Sequence, residues 1–360
     1  MSYHYTRRRG RDHTGISRRA LLCAMPGMLL ARKVLAQGGG TPIRVRTLNH
    51  ATLTVTDVKR STDFYQGLFG MPIQGRQGST VALRIGTGPH ALALSQGGGA
   101  PGINHFCLGV EDFNVDRLVK TLSDYGLSRA EGPGGGLGGG PMKIRVRMRG
   151  ADLGGAPQGT PELYFGDPDG IVVQLQDPSY CGGGGPLGAV CSAVEPAKSK
   201  GLIGVRDLSH LTVFISDAKR SNTFYQQLFG FSIRSYQGPT APTLAVGPGV
   251  AFLMFAGVAG GRGGACTAPL SPSINHLCLS MDGFDVDRML RHLESYGIKP
   301  RENAQGPVGP LRSYVTMRME NRGGAKEGTP ELYLTDPDGI LLQIQDARYC
   351  GGAGVLGDKC

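Results

Sequence analysis

Apolar positions along this chain follow two spacings, and the order in which the two spacings occur repeats. Short apolar runs with the alternation typical of strands begin near Leu48 and again near Ile103. Each run is followed by a break containing Asp and then by apolar positions at helical spacing, which end at Gly70 and Gly126. The pattern therefore predicts one β-α-β-β-β module after another.

Further strand-like runs complete the two modules. These predicted strands are Val81–Ile85, Ala91–Ser95, Ile144–Met148, Glu162–Phe165 and Ile171–Gln176. The last two flank the sequence Asp-Pro-Asp-Gly, which is typical of a turn, so they predict a hairpin.

The whole arrangement of two modules occurs twice. Phe64-Tyr65-Gln66 recurs as Phe224-Tyr225-Gln226, and Asp167-Pro168-Asp169-Gly170 recurs as Asp336-Pro337-Asp338-Gly339. The offset is 160 residues at the first motif and 169 at the second. Such self-similarity predicts two tandem domains, at residues 46–192 and 204–360, joined by a linker at 193–203.

Composition agrees with two strand-rich domains. The chain has 360 residues, with 59 glycines and 23 prolines to serve turns. Its formal charge is +10, but residues 1–36 hold eight basic residues against one acidic residue. The remainder is only +3, and no basic stripe with interleaved aromatic residues is present, so a nucleic-acid partner is not expected.

The first 36 residues are interpreted as a signal peptide. Arg18-Arg19 precedes an apolar stretch from Ala20 to Ala31, which is too short to span a bilayer. Val34-Leu35-Ala36 offers a cleavage site before Gln37. The segment resembles a twin-arginine signal, which predicts a periplasmic or secreted protein without a stable membrane span. The alternative is a disordered basic tail.

The modules resemble the vicinal-oxygen-chelate (VOC) superfamily, which includes glyoxalase I, extradiol dioxygenases and bleomycin-resistance proteins. The resemblance rests on a histidine in the first strand of each module, the Phe-Tyr-x-x-Leu-Phe-Gly helix end and the Asp-Pro-Asp-Gly hairpin. It implies an α+β fold in which paired β-α-β-β-β modules form a half-open barrel around one metal.

The resemblance also implies a metal-ligand set in each copy. Carried over position by position, the ligands are His50, His105 and Gln174 in the first copy, and His210, His276 and Gln343 in the second. Imidazole nitrogen suits Fe, Mn, Ni or Zn, and the sequence does not choose between these metals.

Glutamine is a departure from the family, whose third ligand is usually Glu. An amide oxygen can bind a metal but brings no negative charge, so the site would hold a divalent ion less tightly. One alternative is that the histidines line a metal-free binding pocket. Another is a different ligand such as Glu162 or Glu331, although hairpin alternation is expected to point Glu162 away from the face of Gln174.

Tyr164 and Tyr333 stand ten residues before the two glutamines and are the candidate catalytic residues. In the extradiol-dioxygenase signature such a Tyr helps to orient a catecholic oxygen. That signature also has a His several residues before the Tyr, and both copies lack it. Packing in the hairpin is the alternative role for the two tyrosines.

Eight cysteines complete the candidate chemistry. Four of them flank Gly-rich loops with the same spacing in each copy, which predicts disulfides Cys181–Cys191 and Cys350–Cys360 in an oxidising compartment. A zinc clip is the competing interpretation. Cys107 and Cys278 lie two residues after a candidate ligand, so strand alternation places them on its face.

The sequence thus predicts an exported, metal-dependent VOC protein that acts on a small molecule with vicinal oxygens. A dioxygenase-like enzyme is favoured, and lyase or isomerase chemistry suits the same scaffold. The alternative is a metal-free protein that binds a small molecule, as bleomycin-resistance proteins do. The oligomeric state stays open, as do the roles of the Gly-rich segments Gly132–Gly140 and Gly260–Gly264.

Overall fold

The computed structural model describes residues 41–257, 271–304 and 308–360. The expected signal peptide, the Gly260–Gly264 segment, Cys23 and Cys266 lie outside these residues. Within the described part, no helix is both long and apolar enough to cross a membrane.

The first copy consists of two modules in the expected order, except that its second module has one additional two-residue strand after the helix. The first module contains β1 (Val45–Val55), α1 (Val58–Phe69), β2 (Ile73–Gln77), β3 (Thr80–Arg84) and β4 (Ala91–Gln96). The second contains β5 (Gly102–Val110), α2 (Val115–Asp124), β6 (Ser128–Arg129), β7 (Lys143–Arg149), β8 (Thr160–Gly166) and β9 (Val172–Gln176).

The second copy repeats this order. Its first module contains β10 (Asp207–Ile215), α3 (Ala218–Phe229), β11 (Ile233–Tyr236), β12 (Pro242–Ala245) and β13 (Phe252–Gly257). Its second contains β14 (Ser273–Met281), α4 (Val286–Ser295), β15 (Lys299–Pro300), β16 (Arg312–Arg318), β17 (Thr329–Thr335) and β18 (Leu341–Asp346).

Strand pairing follows the same rule in every module. The first strand of a module pairs in parallel with its last strand, as in β1–β4 and β5–β9. The first strands of the two modules of a copy pair antiparallel, as in β1–β5 and β10–β14. The result is the expected α+β fold, an open sheet that curves as a half-open barrel in each copy.

Local sequence explains where the helices begin and end. The Asp57 side chain accepts a hydrogen bond from the backbone N–H of Arg60 and so caps the start of α1. Gly70 ends α1 in the left-handed region, with φ of 67°. A Cβ atom at Gly70 would lie 2.0 Å from the carbonyl oxygen of Lys200, so only glycine suits this helix end.

The two copies contact each other reciprocally through these helices and the Asp-Pro-Asp-Gly hairpins. The Tyr65 hydroxyl of α1 donates to Asp336 Oδ2 of the second copy at 3.1 Å, and the Tyr225 hydroxyl of α3 donates to Asp167 Oδ2 of the first at 3.2 Å. A bridge between β5 and β14 joins the two sheets, and one apolar core runs through both copies.

Candidate functional site

The three candidate ligands of the first copy meet on one face of its sheet. His50 of β1 lies opposite Cys107 of β5, while His105 of β5 lies opposite Thr52 of β1. The two imidazole centroids are 5.8 Å apart. Gln174 of β9 lies beside Cys107, so it stands next to both histidines. Each set of candidate ligands comes from a single copy, and the copies do not exchange modules at the site.

The two histidines are held in one tautomer by the asparagines that precede them. The Asn49 amide nitrogen donates to the carbonyl oxygen of Tyr180 at 3.0 Å, which leaves Asn49 Oδ1 to accept a hydrogen bond from His50 Nδ1 at 2.8 Å. His105 Nδ1 has the same 2.8 Å contact with Asn104 Oδ1. With a proton on Nδ1, each neutral ring presents a lone pair on Nε2.

These lone pairs converge on the amide oxygen of Gln174. Gln174 Oε1 lies 3.1 Å from His50 Nε2 and 3.1 Å from His105 Nε2. Neighbouring ligands of a divalent metal lie about 3 Å apart, since metal–ligand bonds are about 2.1 Å. Gln174 Nε2 is buried and has no hydrogen-bond partner in the described structure. Three acceptors facing one another suit a cation, so the residues present fit a divalent metal.

Burial keeps both histidines neutral. It lowers the pKa of His50 from 6.5 to about 3, with a further contribution from the charge of a protonated His105. Burial likewise lowers the pKa of His105 to about 4. A neutral imidazole is the form that binds a metal.

The donor set contains no carboxylate. Within the described residues, no group of three or more His, Cys, Asp or Glu side chains is arranged to hold a metal ion. A divalent ion held by His50, His105 and Gln174 would therefore keep both of its positive charges, which favours an anionic ligand.

The second copy keeps much of the same geometry. His210 Nε2 lies 3.1 Å from Gln343 Oε1, and the His210 and His276 rings are 5.6 Å apart. Ser209 replaces the first asparagine and contacts His210 Nδ1 at 3.4 Å, a longer distance than in the first copy.

Glu162 corrects one sequence-based expectation. Tyr164 of β8 lies directly opposite Gln174, so Glu162, two residues earlier on the same strand, shares their face instead of pointing away. Its buried carboxylate accepts hydrogen bonds from Arg149 Nε at 2.7 Å, Tyr164 at 3.2 Å and Tyr180 at 3.1 Å. The Glu162 carboxylate is therefore held in place by Arg149 and the two tyrosines. In the second copy, Glu331 pairs in the same way with Arg318 at 2.8 Å.

Tyr164 stands beside the candidate ligands. Its ring meets that of His105 edge to face, with centroids 5.5 Å apart. Burial raises the pKa of Tyr164 well above 10, so the hydroxyl stays protonated and can donate a hydrogen bond. Tyr333 has the equivalent place, 5.4 Å from His276.

A cavity of about 180 Å³ opens over the first site. Small side chains of β4, Ala91 and Ala93, form part of its wall, and Tyr164 forms another part. Leu137 also lines it, so the segment Gly132–Gly140 contributes to the cavity wall. Arg147 is the one side chain with a formal charge among the described lining residues.

The predicted disulfides are confirmed. Cys181–Cys191 and Cys350–Cys360 are both formed, and Cys107 and Cys278 are buried free thiols. The first disulfide lies close to the site, because Cys181 also lines the cavity.

Several residues at the site were not singled out from the sequence. They are Asn49, Asn104, Ala91, Ala93, Arg147 and Tyr180. A signal for the asparagines was present, since Asn precedes the strand histidine in three of the four modules. The Tyr before the first Cys of each disulfide is a similar repeated signal.

Comparison with known proteins gives a family and several similar folds. Residues 47–175 and 207–344 each match the model of the Glyoxalase/Bleomycin resistance protein/Dioxygenase superfamily. A search of curated proteins finds no significant match.

Similar solved structures include a catechol 2,3-dioxygenase, with 16% identity, a TM-score of 0.53, and coverage of 86% of this chain and 88% of that one. The Mn(II)-bound glyoxalase from Novosphingobium aromaticivorans has 16% identity, a TM-score of 0.54, and coverage of 84% and 82%. Homoprotocatechuate 2,3-dioxygenase from Brevibacterium fuscum, in complex with 3,4-dihydroxyphenylacetate, has 16% identity, a TM-score of 0.55, and coverage of 86% and 83%. At these identities the likeness concerns the fold. The chain belongs to the Glyoxalase/Bleomycin resistance protein/Dioxygenase superfamily and contains two copies of its domain in tandem.

Proposed function

We propose that this protein is a metal-dependent member of its superfamily that acts on a small molecule with vicinal oxygens. His50, His105 and Gln174 are the proposed ligands in the first copy, and His210, His276 and Gln343 are those in the second. The observation that carries the proposal is the convergence of three acceptor atoms, in which two imidazole nitrogens each lie 3.1 Å from one amide oxygen. When bound, a divalent transition metal supplies a Lewis acid for the oxygens of the ligand.

The protein side chains around the cavity would orient the ligand. Tyr164 keeps its proton and can donate a hydrogen bond to a ligand oxygen, at the cost of its contact with Glu162. The Arg147 side chain lines the cavity and makes no side-chain hydrogen bond or salt bridge among the described residues, so it is available to pair with an anionic group. Both features favour an oxygen-rich, anionic ligand.

A dioxygenase-like reaction is the first class proposed, and lyase or isomerase chemistry is the next. The Tyr164 position and the hairpin pattern favour the dioxygenase class. The absence of the usual His before Tyr164 weighs against ring cleavage by the usual route. The described lining also contains no carboxylate or lysine that would serve as a general base in its place.

A metal-free binding protein is the second candidate, and the orphaned amide nitrogen of Gln174 favours it. Turning the amide over would direct its two N–H groups at the lone pairs of His50 and His105. That arrangement would give both imidazole nitrogens a hydrogen-bond donor without a metal. The cavity would then serve only to bind a ligand.

Elemental analysis of protein purified without chelator or affinity metal tests the choice. We expect the wild type to contain a bound transition metal. In His50→Ala, we expect the metal bound at the first site to be lost. The control is His292→Ala, which changes a histidine in the last turn of α4, and we expect it to keep its metal. A wild type that holds no metal, and takes up none on addition of Fe(II), Mn(II), Ni(II) or Zn(II), would refute the metal-dependent proposal and leave the binding protein.

Export through the twin-arginine route is proposed together with this function. Its support is the signal-like sequence at residues 1–36 and the two disulfides, which are typical of an oxidising compartment. Cell fractionation of wild type and Arg18→Lys/Arg19→Lys tests it. We expect the wild type in the periplasm or medium and the variant in the cytoplasm, and equal distribution of the two proteins would contradict the route.

A further inference from the structure

The two copies differ at the strand beside their first histidine. In the first copy, His50 of β1 pairs in register with Ala91 of β4. In the second copy, His210 of β10 pairs in the same register with Phe252 of β13. Paired residues on neighbouring strands point to the same face of the sheet, so Phe252 stands where Ala91 leaves space.

The phenyl ring of Phe252 is packed directly against the second site. Its centroid lies 4.3 Å from that of His210, with the rings inclined by 10°, and 6.0 Å from that of Tyr349. The side chain is fully buried. In the first copy, His50 stacks on Tyr180 at 5.5 Å, and the small Ala91 borders the cavity beside this pair.

The pair of residues two positions further along these strands also has a larger side chain in the second copy. Thr52 pairs with Ala93 in the first copy, whereas Thr212 pairs with Met254 in the second. Met254 is buried and forms an apolar cluster with Phe252 and Tyr349. Both changes therefore replace a methyl group by a large buried side chain at the place of the cavity.

These side chains are large enough to occupy a volume comparable to that of the first-copy cavity. A cavity of about 150 Å³ holds one benzene molecule, so a single phenyl ring takes up most of a cavity of 180 Å³. Phe252 adds such a ring, and Met254 fills space further along the strand.

A third pair of positions changes the polarity of the same wall. Thr54 and Ser95 are paired in the first copy and line the cavity. Phe214 and Ala256 are paired at the equivalent place in the second copy. The wall that offers two hydroxyl groups in the first copy is thus apolar in the second.

We infer that the first copy alone binds the small-molecule ligand, with Ala91 and Ala93 making room for it, and that Phe252 and Met254 close the second site to the ligand. The ligand is a molecule of about one six-membered ring with polar substituents. The second copy keeps His210, His276 and Gln343, so it binds a metal without a ligand. This last statement rests on the proposed function, whereas the difference between the wall residues of the two copies does not.

Methyl NMR of the full chain tests the inference without relying on activity. Alanine and methionine methyl groups are labelled with ¹³C, and the protein is titrated with 4-nitrocatechol, a single ring with vicinal oxygens, both metal-free and loaded with Zn(II). We expect the Ala91 and Ala93 methyl signals to shift with one common dissociation constant, and the Met254 methyl signal to stay in place. A Met254 shift equal to that of Ala91, or no shift at Ala91 and Ala93 in either titration, would overturn the inference.

Matched substitutions place the wall side chains of one copy at the equivalent positions of the other copy. Ala91→Phe should weaken binding of 4-nitrocatechol about tenfold or more, because the added ring takes the ligand's space. Ala93→Met is a smaller change of the same kind and replaces Ala91→Phe should that variant fail to fold. Phe252→Ala should make the Met254 methyl signal respond to the probe. Undiminished binding in both first-copy variants would contradict the inference.

The same samples separate this inference from the proposed function. Elemental analysis reports whether Zn(II) is bound, and its absence would refute the metal site. The titration of metal-free protein would still show which copy receives the probe.

Discussion

Replacing Arg149 with Met should destabilise the protein more than any substitution of a surface charge. Arg149 and Glu162 form a salt bridge at 2.7 Å in which both side chains are at most 2% exposed. Arg149 also donates to the carbonyl oxygen of Gly183 at 2.8 Å. Without Arg149, the Glu162 carboxylate keeps only the hydroxyl donors Tyr164 and Tyr180, and it becomes a buried charge without a counter-ion.

The expected cost is about 3–5 kcal/mol of unfolding free energy, which is typical when one partner of a buried ion pair is removed. For a chain of 360 residues, that corresponds to a fall in melting temperature of roughly 4–7 °C. Arg149→Met/Glu162→Gln should be more stable than Arg149→Met alone, because the second change removes the uncompensated charge and keeps an acceptor for the tyrosines.

Chemical and thermal denaturation of the two variants, with Arg76→Met as control, checks the reasoning. Arg76 pairs with Glu195 at 2.8 Å, but both side chains are about half exposed, so the control should lose no more than about 1 kcal/mol. A cost below about 1 kcal/mol for Arg149→Met, or no recovery in the double variant, would refute the claim that burial makes this pair indispensable.

Three further predictions follow from other parts of the structure. Cys181→Ala/Cys191→Ala should lose about 2–3 kcal/mol in denaturant unfolding, because the bridge closes a loop with a sequence separation of 10; unchanged stability would contradict this. Burial raises the pKa of Asp167 from 3.8 to about 6, so its stabilising contribution is complete below pH 3.8 and is lost as the pH rises through 6. Asp167→Asn should therefore gain stability relative to the wild type between pH 4 and 7 in a pH series of unfolding curves, and parallel curves would oppose the assignment. Phe252→Ala should lose about 3–5 kcal/mol, and calorimetry that shows no loss would mean that the ring is not part of the packed interior.

Much of the fold could be predicted because every repeated signal was local. Strand alternation, helix ends such as that at Gly70, and the hairpin turns each depend on a few neighbouring residues, and each signal occurs again in the second copy. The ligand set His50, His105 and Gln174 was expected from the resemblance to the VOC superfamily, and strand geometry supported it only for the two histidines. The structure brings these three together within a single copy.

The position of Glu162 could not be predicted from the sequence because it depends on the hairpin register. Alternation places Glu162 and Tyr164 on one face of β8, but only the pairing of Tyr164 with Gln174 shows that this is the site face. The large side chains beside the second histidine site could not be predicted for a related reason. Ala91 and Phe252 are equivalent only in the paired strands, where both lie beside a histidine.

The contacts between the two copies also could not be predicted from sequence periodicity. They explain why the first copy depends on the second copy, whichever molecule the second site binds. Tyr65 of α1 is buried and finds its hydrogen-bond acceptor in Asp336, across the boundary between the copies. Asp338 of the same hairpin is almost buried and pairs with Arg60, which lies on the same helix as Tyr65. Without the second copy, α1 would expose this face and leave the Tyr65 hydroxyl without its partner. Because α1 belongs to the module that supplies His50, the first site depends on the second copy for the packing of that module. This role does not require the second copy to bind a ligand.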